Sequence, residues 1–517
     1  MQNTSNEWKQ NQKQNFVSES FAEITLKVAD PEASEDAAAT DNGHVYFSDT
    51  TNVAKDVVKN NAKLATLEMN IWTLDGSCEI LPASSPYGTN GFVGDEVSDD
   101  AGYYSDNPTL TISFPGVVTS VIPGITVLWG DSYDECADSF NVTVKKNGVP
   151  VLERSIIGNT DRQTLIDDDI AQYDEIEIEV VRWCLPHRRA RIKEVVIGIF
   201  QTFTKADILS IENSFAVDPL SASLPQAQIR FVLKNLNGKF NAENAQGFVK
   251  YIMERQRVTA RYGYKIGGVK EWISGGMYYL SEWEMPQNGI TATFTARDAI
   301  EFMQDAYVGS LYGGLSLYSI ADSAFRQANM PELEAGIDRW IIDDSLKNIT
   351  AYEWALAEGA TIAELLQYVA NAGCCVLYQD RSGIFHIEPL DTTPADYAID
   401  GFTSYENAET QYIKQLKAVV ISNGDAEYAF TYGTAGDTQT VNNPLISAAR
   451  AQTVANWIHD SLVSRKVMSG NFRPDPRLDA LDIVEINTPY TNNNAVITEI
   501  TYSYNGAFRG KYNARCI

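Results

Sequence analysis

Glu282 and Glu284 flank Trp283, and paired acids beside an aromatic ring are what glycosidases use as proton donor and base. Such carboxyls act across a cleft, roughly 5 to 9 Å apart. Positions i and i+2 of a predicted strand point the same way, so this pair reads as a solvated strand face. His44, His187, His386 and His459 are scattered, and neither H-E-x-x-H nor G-x-S-x-G occurs. Cys374 or Cys375 with His386 would supply a thiol and a base. Both cysteines follow a helix end inside an apolar stretch, where a small buried side chain is the simpler reading. With no catalytic constellation, the expectation is a protein without enzymatic activity.

Residue types suited to binding concentrate between positions 95 and 138. Tyr103, Tyr104 and Tyr133 fall in predicted loops, where flat rings could stack on the apolar face of a sugar. Trp129 and Trp183 have the same chemistry, but Trp129 lies in an alternating strand and reads as core. Asp131, Asp134, Glu135 and Asp138 share one loop, and Asp95, Glu96, Asp99 and Asp100 another. Calcium takes about six to eight oxygens, which such loops can provide. Asp131, Asp134 and Asp138 are therefore candidate ligands for a structural calcium, and no other cofactor is suggested. The spacing is not that of an EF-hand, so a solvated acidic loop stands as the alternative. His187, Arg188, Arg189 and Arg191 form the one basic cluster. It could hold phosphate or an acidic neighbouring subunit; equally, Arg189 and Arg191 could alternate on a strand and pair with local carboxylates.

The elements that must position these residues are mostly strands. Alternating apolar patterns recur at 109–114, 124–129, 140–145, 176–181 and 195–199, with Asn147 and Gly148 as a hairpin turn. A second set lies at 229–233, 258–264, 272–279 and 290–296. Helical stripes follow: Leu317, Ile320, Ala321, Ala324, Phe325 and Ala328 share one face. Thr361 and Glu364 form a capping box before Ile362, Leu365, Leu366, Val369 and Ala370. Val454, Trp457, Ile458 and Leu462 mark a third helix. Residues 1–20 read as a polar arm, ordering only against a partner, and 30–43 as a linker.

With 517 residues the chain exceeds one core, and 44% hydrophobic content is that of a folded protein. A net charge of −28 disfavours nucleic-acid binding by the outer surface. Among six cysteines only Cys374 and Cys375 are close in sequence, and adjacent cysteines rarely bridge, which suggests free thiols and a reducing cytoplasm as the place of synthesis. No leader and no apolar run of membrane-spanning length is visible.

Several stretches, in order, resemble the hub proteins of phage tails, with a fold like the baseplate hub of contractile tails. They are DPLSASLPQAQIRFVLKNLNGKFN (218–241), YGY (262–264), WISGGMYYL (272–280), FTARD (294–298), NPLI (443–446), FRPDPR (472–477), LDIVEI (481–486) and ITYSYNG (500–506). LEMNIWTLDG (67–76), ITVLWGD (125–131) and RIKEV (191–195) are similar instead to galactose-binding-like jelly rolls. The resemblance implies a mainly β, multi-domain chain with some α: a polar arm (1–20), a first hub β-barrel (21–41 and 200–302), an inserted β-sandwich jelly roll (42–199), an α+β middle domain (303–409) and a second hub β-barrel with one helix (410–517). It further implies a structural tail-tip or baseplate component of the virion. Copies would form a ring, usually a trimer, beside a distal tail protein ring and other tail-tip proteins, with DNA passing only through the lumen. The inserted jelly roll could recognise a host cell-surface glycan; a receptor-binding protein, and more remotely a cell-wall hydrolase, are the rival functions.

Overall fold

The computed structural model describes residues 1–14, 16–55, 63–65, 68, 71, 78–80, 91–129, 135–236, 238–241, 243–244, 248–284, 289–308, 314–331, 333, 339–352 and 360–517. Strand outweighs helix, 47% against 14%, as the alternating patterns require. The largest element is one sheet of 13 strands. In chain order these are β1 (Ser20–Ala29), β2 (Gly198–Phe203), β3 (Ile208–Ala216), β4 (Gln226–Lys234), β5 (Arg257–Ile266), β6 (Val269–Glu284), β7 (Thr291–Arg297), β8 (Pro394–Ile399), β9 (Glu409–Tyr412), β10 (Lys466–Phe472), β11 (Ile483–Asn487), β12 (Asn492–Tyr504) and β13 (Phe508–Cys516). Their spatial order is β2-β1-β5-β6-β7-β4-β3-β12-β13-β10-β9, with β11 branching from β12 and β8 from β11.

Strands expected to build two barrels thus share one sheet, joined where β3 pairs antiparallel with β12, Ile211 opposite Tyr504. They also share one core. Ala22, Ile24, Leu26 and Val28 of β1 face it together with Phe231, Phe294, Ile497, Ile500 and Tyr512. Between β5 and β6 the register skips one residue: Ala260 opposes Gly276 and Arg261 opposes Ser274, leaving Gly275 as a bulge. Gly276 has φ 117° there, and a side chain on it would collide with the Tyr278 phenol. The paired glycines of WISGGMYYL are what the bulge demands.

The N-terminal arm is not loose. Helix α1 (Asn6–Gln12) is capped by Ser5, whose hydroxyl accepts from the Trp8 amide. Trp8 is fully buried, edge-on to Tyr264 with ring centroids 5.0 Å apart, and its indole donates to Asp475. One apolar residue in seven leaves no helical stripe to read, yet burying a single indole pins the arm.

Residues 30–41 also depart from the linker expectation. Helix α2 (Pro31–Asp36) is capped by Asp30, and the strand Ala38–Asp41 pairs with Thr109–Val118. This strand edges a five-stranded sheet continued by Tyr173–Trp183, Ala137–Lys146 and Val149–Ile157. A three-stranded sheet, Gln163–Ile166, Ile125–Leu128 and Glu194–Val196, shares one core with it. Ala33 and Ala37 pack into that core, which is why the segment belongs with the sandwich and not with a connection. The chain leaves β1 at Ala29 and returns at Gly198, which oppose each other in the ladder. Gly198, at φ 147°, lies so close to the Val28 carbonyl that no side chain fits.

The third core draws on α3 (Leu317–Gln327), α4 (Ile362–Gly373) and α5 (Ala448–Leu462). The capping box on α4 is present, Thr361 accepting from the Glu364 amide and Glu364 from that of Thr361. Two small sheets complete this unit. In one, Phe385–Glu388 lies between Trp340–Ile342 and Val376–Gln379; in the other, Leu416–Ser422 lies between Glu427–Thr431 and Asp437–Asn442. Here the structure draws the boundary differently from the sequence. Val419, Ile421, Val454 and Ile458 join the core of α3 and α4, so residues 416–462 pack with the middle unit and not with the closing strands.

Candidate functional site

The loops at one end of the five-stranded sheet carry the residue types that suggested binding. Trp183, closing its strand, donates from Nε1 to one oxygen of Glu135 at 2.8 Å, and Arg188 Nε donates to the other at 2.8 Å. All three side chains are buried. Tyr104 lies against this network, only 8% exposed, its hydroxyl donating to the Arg188 carbonyl. It therefore packs in the core, and its ring is not offered to a sugar. Tyr103 is 48% exposed, but the Arg182 guanidinium lies over its ring, 5.6 Å from the centroid. Arg182 also pairs with Asp138 at 3.1 Å, so the described member of the calcium triad is already balanced by a cation. Tyr133, Asp131 and Asp134 lie outside the described residues. Among the described residues no group of three or more His, Cys, Asp or Glu side chains is placed to hold a metal ion.

The neighbouring acids serve the backbone. Hydrogen bonds from Ser105 and the Asp106 amide hold the Glu96 carboxyl below its ordinary range, and amides of Tyr103 and Ala101 do the same for Asp99. Trp129 is core, 1% exposed, donating to Thr164 and edge-on to Phe140 and Trp183. The basic cluster is locally paired: His187 with Asp100, Arg188 with Glu135, and Arg191 with Glu68. That geometry favours the local-pairing reading over a phosphate site.

The catalytic candidates separate in the same way. Glu282 and Glu284 are exposed near the end of β6, opposite Thr295 and Thr293, and Arg297 pairs with Glu282 at 3.0 Å. Burial pushes the Cys375 thiol up to about 12, which leaves it protonated and unreactive at neutral pH. His386 lies flat on Tyr378, ring centroids 4.7 Å apart, with Asp380 and Glu388 each on one ring nitrogen. Burial lowers its pKa, but those two hydrogen bonds outweigh burial and the net shift is upward.

His386 lines a cavity of about 290 Å³ between the large sheet and the middle unit. Asp298 borders it, its carboxyl raised to about 7 by burial although the Ala227 and Ile300 amides both donate to it. Arg381, from the turn before His386, closes one side. It pairs with Asp479, donates to carbonyls of Ser274 and Pro476 at 2.9 and 2.7 Å, and covers Phe215 and Tyr502. Arg381 thereby ties the middle unit to the sheet, through partners about 100 residues away in either direction that no local pattern reveals.

No protein-family model matches the sequence, and no curated protein matches it. Among solved structures, the chain is similar to the prophage MuSo2 43 kDa tail protein from Shewanella oneidensis, at 17% identity over 61% of this chain and 95% of that one, with a TM-score of 0.43. It is also similar to a tail protein from Neisseria meningitidis MC58, at 9% identity over 62% and 93% of the two chains, TM-score 0.43. A third is prophage tail protein gp18 from Listeria monocytogenes EGD-e, at 11% identity over 60% and 91%, TM-score 0.38. None of these similarities assigns a role to a residue here.

Proposed function

We propose that the chain is a structural hub subunit at the tip or baseplate of a phage tail, and that copies close into a ring, most simply a trimer. The observation that carries this reading is the single sheet assembled from both halves of the chain. The strands at the two ends of its main path, β2 and β9, like β8 at the end of the branch, have no further strand beside them among the described residues, and Glu409, Thr410, Gln411 and Tyr412 of β9 are all exposed. Open sheet edges invite pairing with another chain, and closed cyclic symmetry leaves no interface unpaired. The stretches that carry the sequence resemblance fall largely on β4 to β7 and on β11 and β12, which are strands of this sheet.

In this reading the segment 30–197 is an inserted galactose-binding-like jelly roll projecting from the hub, and the two barrels are the two ends of the shared sheet. The acidic composition suits a lumen that passes DNA, since a basic lining would hold phosphates. A three-dimensional reconstruction of the assembled tail tip tests the proposal. Three copies around the axis is the expected result; one axial copy, or copies on the outer sheath away from the lumen, would refute it.

Tyr103 alone keeps a second reading open, glycan recognition by the insert, because it is the one described candidate aromatic that stands exposed. Binding on a glycan array that is lost in Tyr103→Ala is its test.

A further inference from the structure

Cys136 and Cys184 are 48 positions apart in sequence and adjacent in space. Cys136 immediately precedes the strand Ala137–Lys146, and Cys184 immediately follows Tyr173–Trp183; these two strands pair antiparallel, with Ala137 opposite Trp183. The ladder continues one step further, because the Cys184 amide donates to the Cys136 carbonyl at 3.1 Å. The Cys136 amide in turn donates to the Cys184 sulfur at 3.3 Å, while the Cys136 thiol donates to the Asn159 carbonyl at 3.8 Å. Directly opposed residues of an antiparallel pair have α-carbons about 4.5 to 5.5 Å apart, the larger value where the pair is hydrogen-bonded. Disulfides span about 4.4 to 6.8 Å between α-carbons. Both are free thiols here, Cys184 exposed and Cys136 buried. The other described thiols lack this arrangement: Cys374 ends α4 beside Arg450, Cys375 is buried with its sulfur toward the Gly373 carbonyl, and Cys516 is buried in β13.

We infer that Cys136 and Cys184 are a modification site, a pair that closes to a reversible disulfide when the protein meets a small-molecule disulfide. The exposed Cys184 thiol loses its proton and attacks one sulfur of the oxidant RSSR, forming a mixed disulfide and releasing RS⁻. Cys136 then loses its proton and attacks the Cys184 sulfur, releasing the second RS⁻. Two protein thiols are oxidised by two electrons, RSSR is reduced, and both protons end on two RSH molecules. The bridge joins Glu135's neighbour to Trp183's neighbour, stapling the sheet end that carries the buried Glu135, Trp183 and Arg188 network. Exposure of one sulfur makes the bond accessible to reductants, so the staple opens again with thiol. Burial raises the pKa of both thiols, which makes closure slow at neutral pH and faster in alkali.

The full-length protein incubated with glutathione disulfide tests this. Mass mapping without reductant should show a peptide pair linked through positions 136 and 184, lighter by two hydrogens, that dithiothreitol separates. Cys136→Ser should stop the reaction at glutathionylated Cys184, and Cys184→Ser should leave Cys136 unmodified. Wild-type protein that halts at the mixed disulfide, or that keeps both thiols free, would overturn the inference; because that readout needs no variant, misfolding of either serine variant does not shield it.

Discussion

Asn213 is wholly buried, and its side chain satisfies three groups at the β6 bulge. Its amide nitrogen donates to the Tyr262 hydroxyl and the Gly275 carbonyl, and its oxygen accepts from Tyr278, each at 2.7 Å. An apolar replacement removes all three bonds from a dry interior and leaves only the 3.1 Å bond from the Tyr278 hydroxyl to the Gly275 carbonyl, so Asn213→Leu should lower stability by about 2–4 kcal/mol, read from urea unfolding. His386 makes a pH-dependent contribution. Its folded pKa is raised, so the protonated ring is favoured by folding. That stability is fully present below its ordinary value of about 6.5 and fades as pH rises through the higher folded value. His386→Gln should therefore shift the thermal midpoint downward most near about pH 6, and the gap should narrow in mildly alkaline buffer. At Glu282 and Glu284 the expectation is the absence of an effect. The double alanine variant should match wild type in any release of reducing ends from cell wall, and a clear drop would argue for catalysis.

At the scale of elements, the junction of sandwich and sheet is the informative place. Ala29 and Gly198 are ladder partners, the Asp30 amide donates to Ile197, and Lys27 pairs with Glu194 in a buried contact of 3.3 Å. Both ends of segment 31–197 thus meet at one point, the geometry that lets a domain be removed without breaking its host. Replacing 31–197 with a short Gly/Ser bridge should leave a soluble chain with a single sharp size-exclusion peak. Removing 1–199 takes away β1, which lies between β2 and β5, and should give aggregates from the edge exposed. Equal solubility of the two truncations would count against an insertion.

For the whole molecule, the proposed ring makes the end strands of the sheet the places where copies would meet. A substitution that blocks β9, such as Thr410→Pro, removes an amide from that edge and should reduce incorporation into tail tips while leaving the monomer's unfolding midpoint nearly unchanged. Incorporation equal to wild type, measured by immunoblot of purified particles, would move the interface away from β9. The Arg381 clamp on Asp479, the Arg477 contact with Asp396 and the Trp8 contact with Asp475 bring distant parts of the chain together at the sheet.

The sequence by itself determined most strands, the α4 cap and the α3 stripe, because periods of 2 and 3.6 and a Thr–Glu spacing of three are local signals. It also determined that Trp129 is core. It did not determine what packs against what. The indole that holds α1, the bulge network around Asn213 and the pairing of Cys136 with Cys184 all join residues far apart in the chain, and no local pattern encodes such partners. The boundary at 416–462 went the same way: α5 has an apolar stripe in either unit, and only the α4 surface waiting for it decided which core it enters. The candidate binding residues were sorted last. Tyr103 and Tyr104 are neighbours of identical type, and only tertiary burial separated the exposed ring from the one whose hydroxyl closes a buried network.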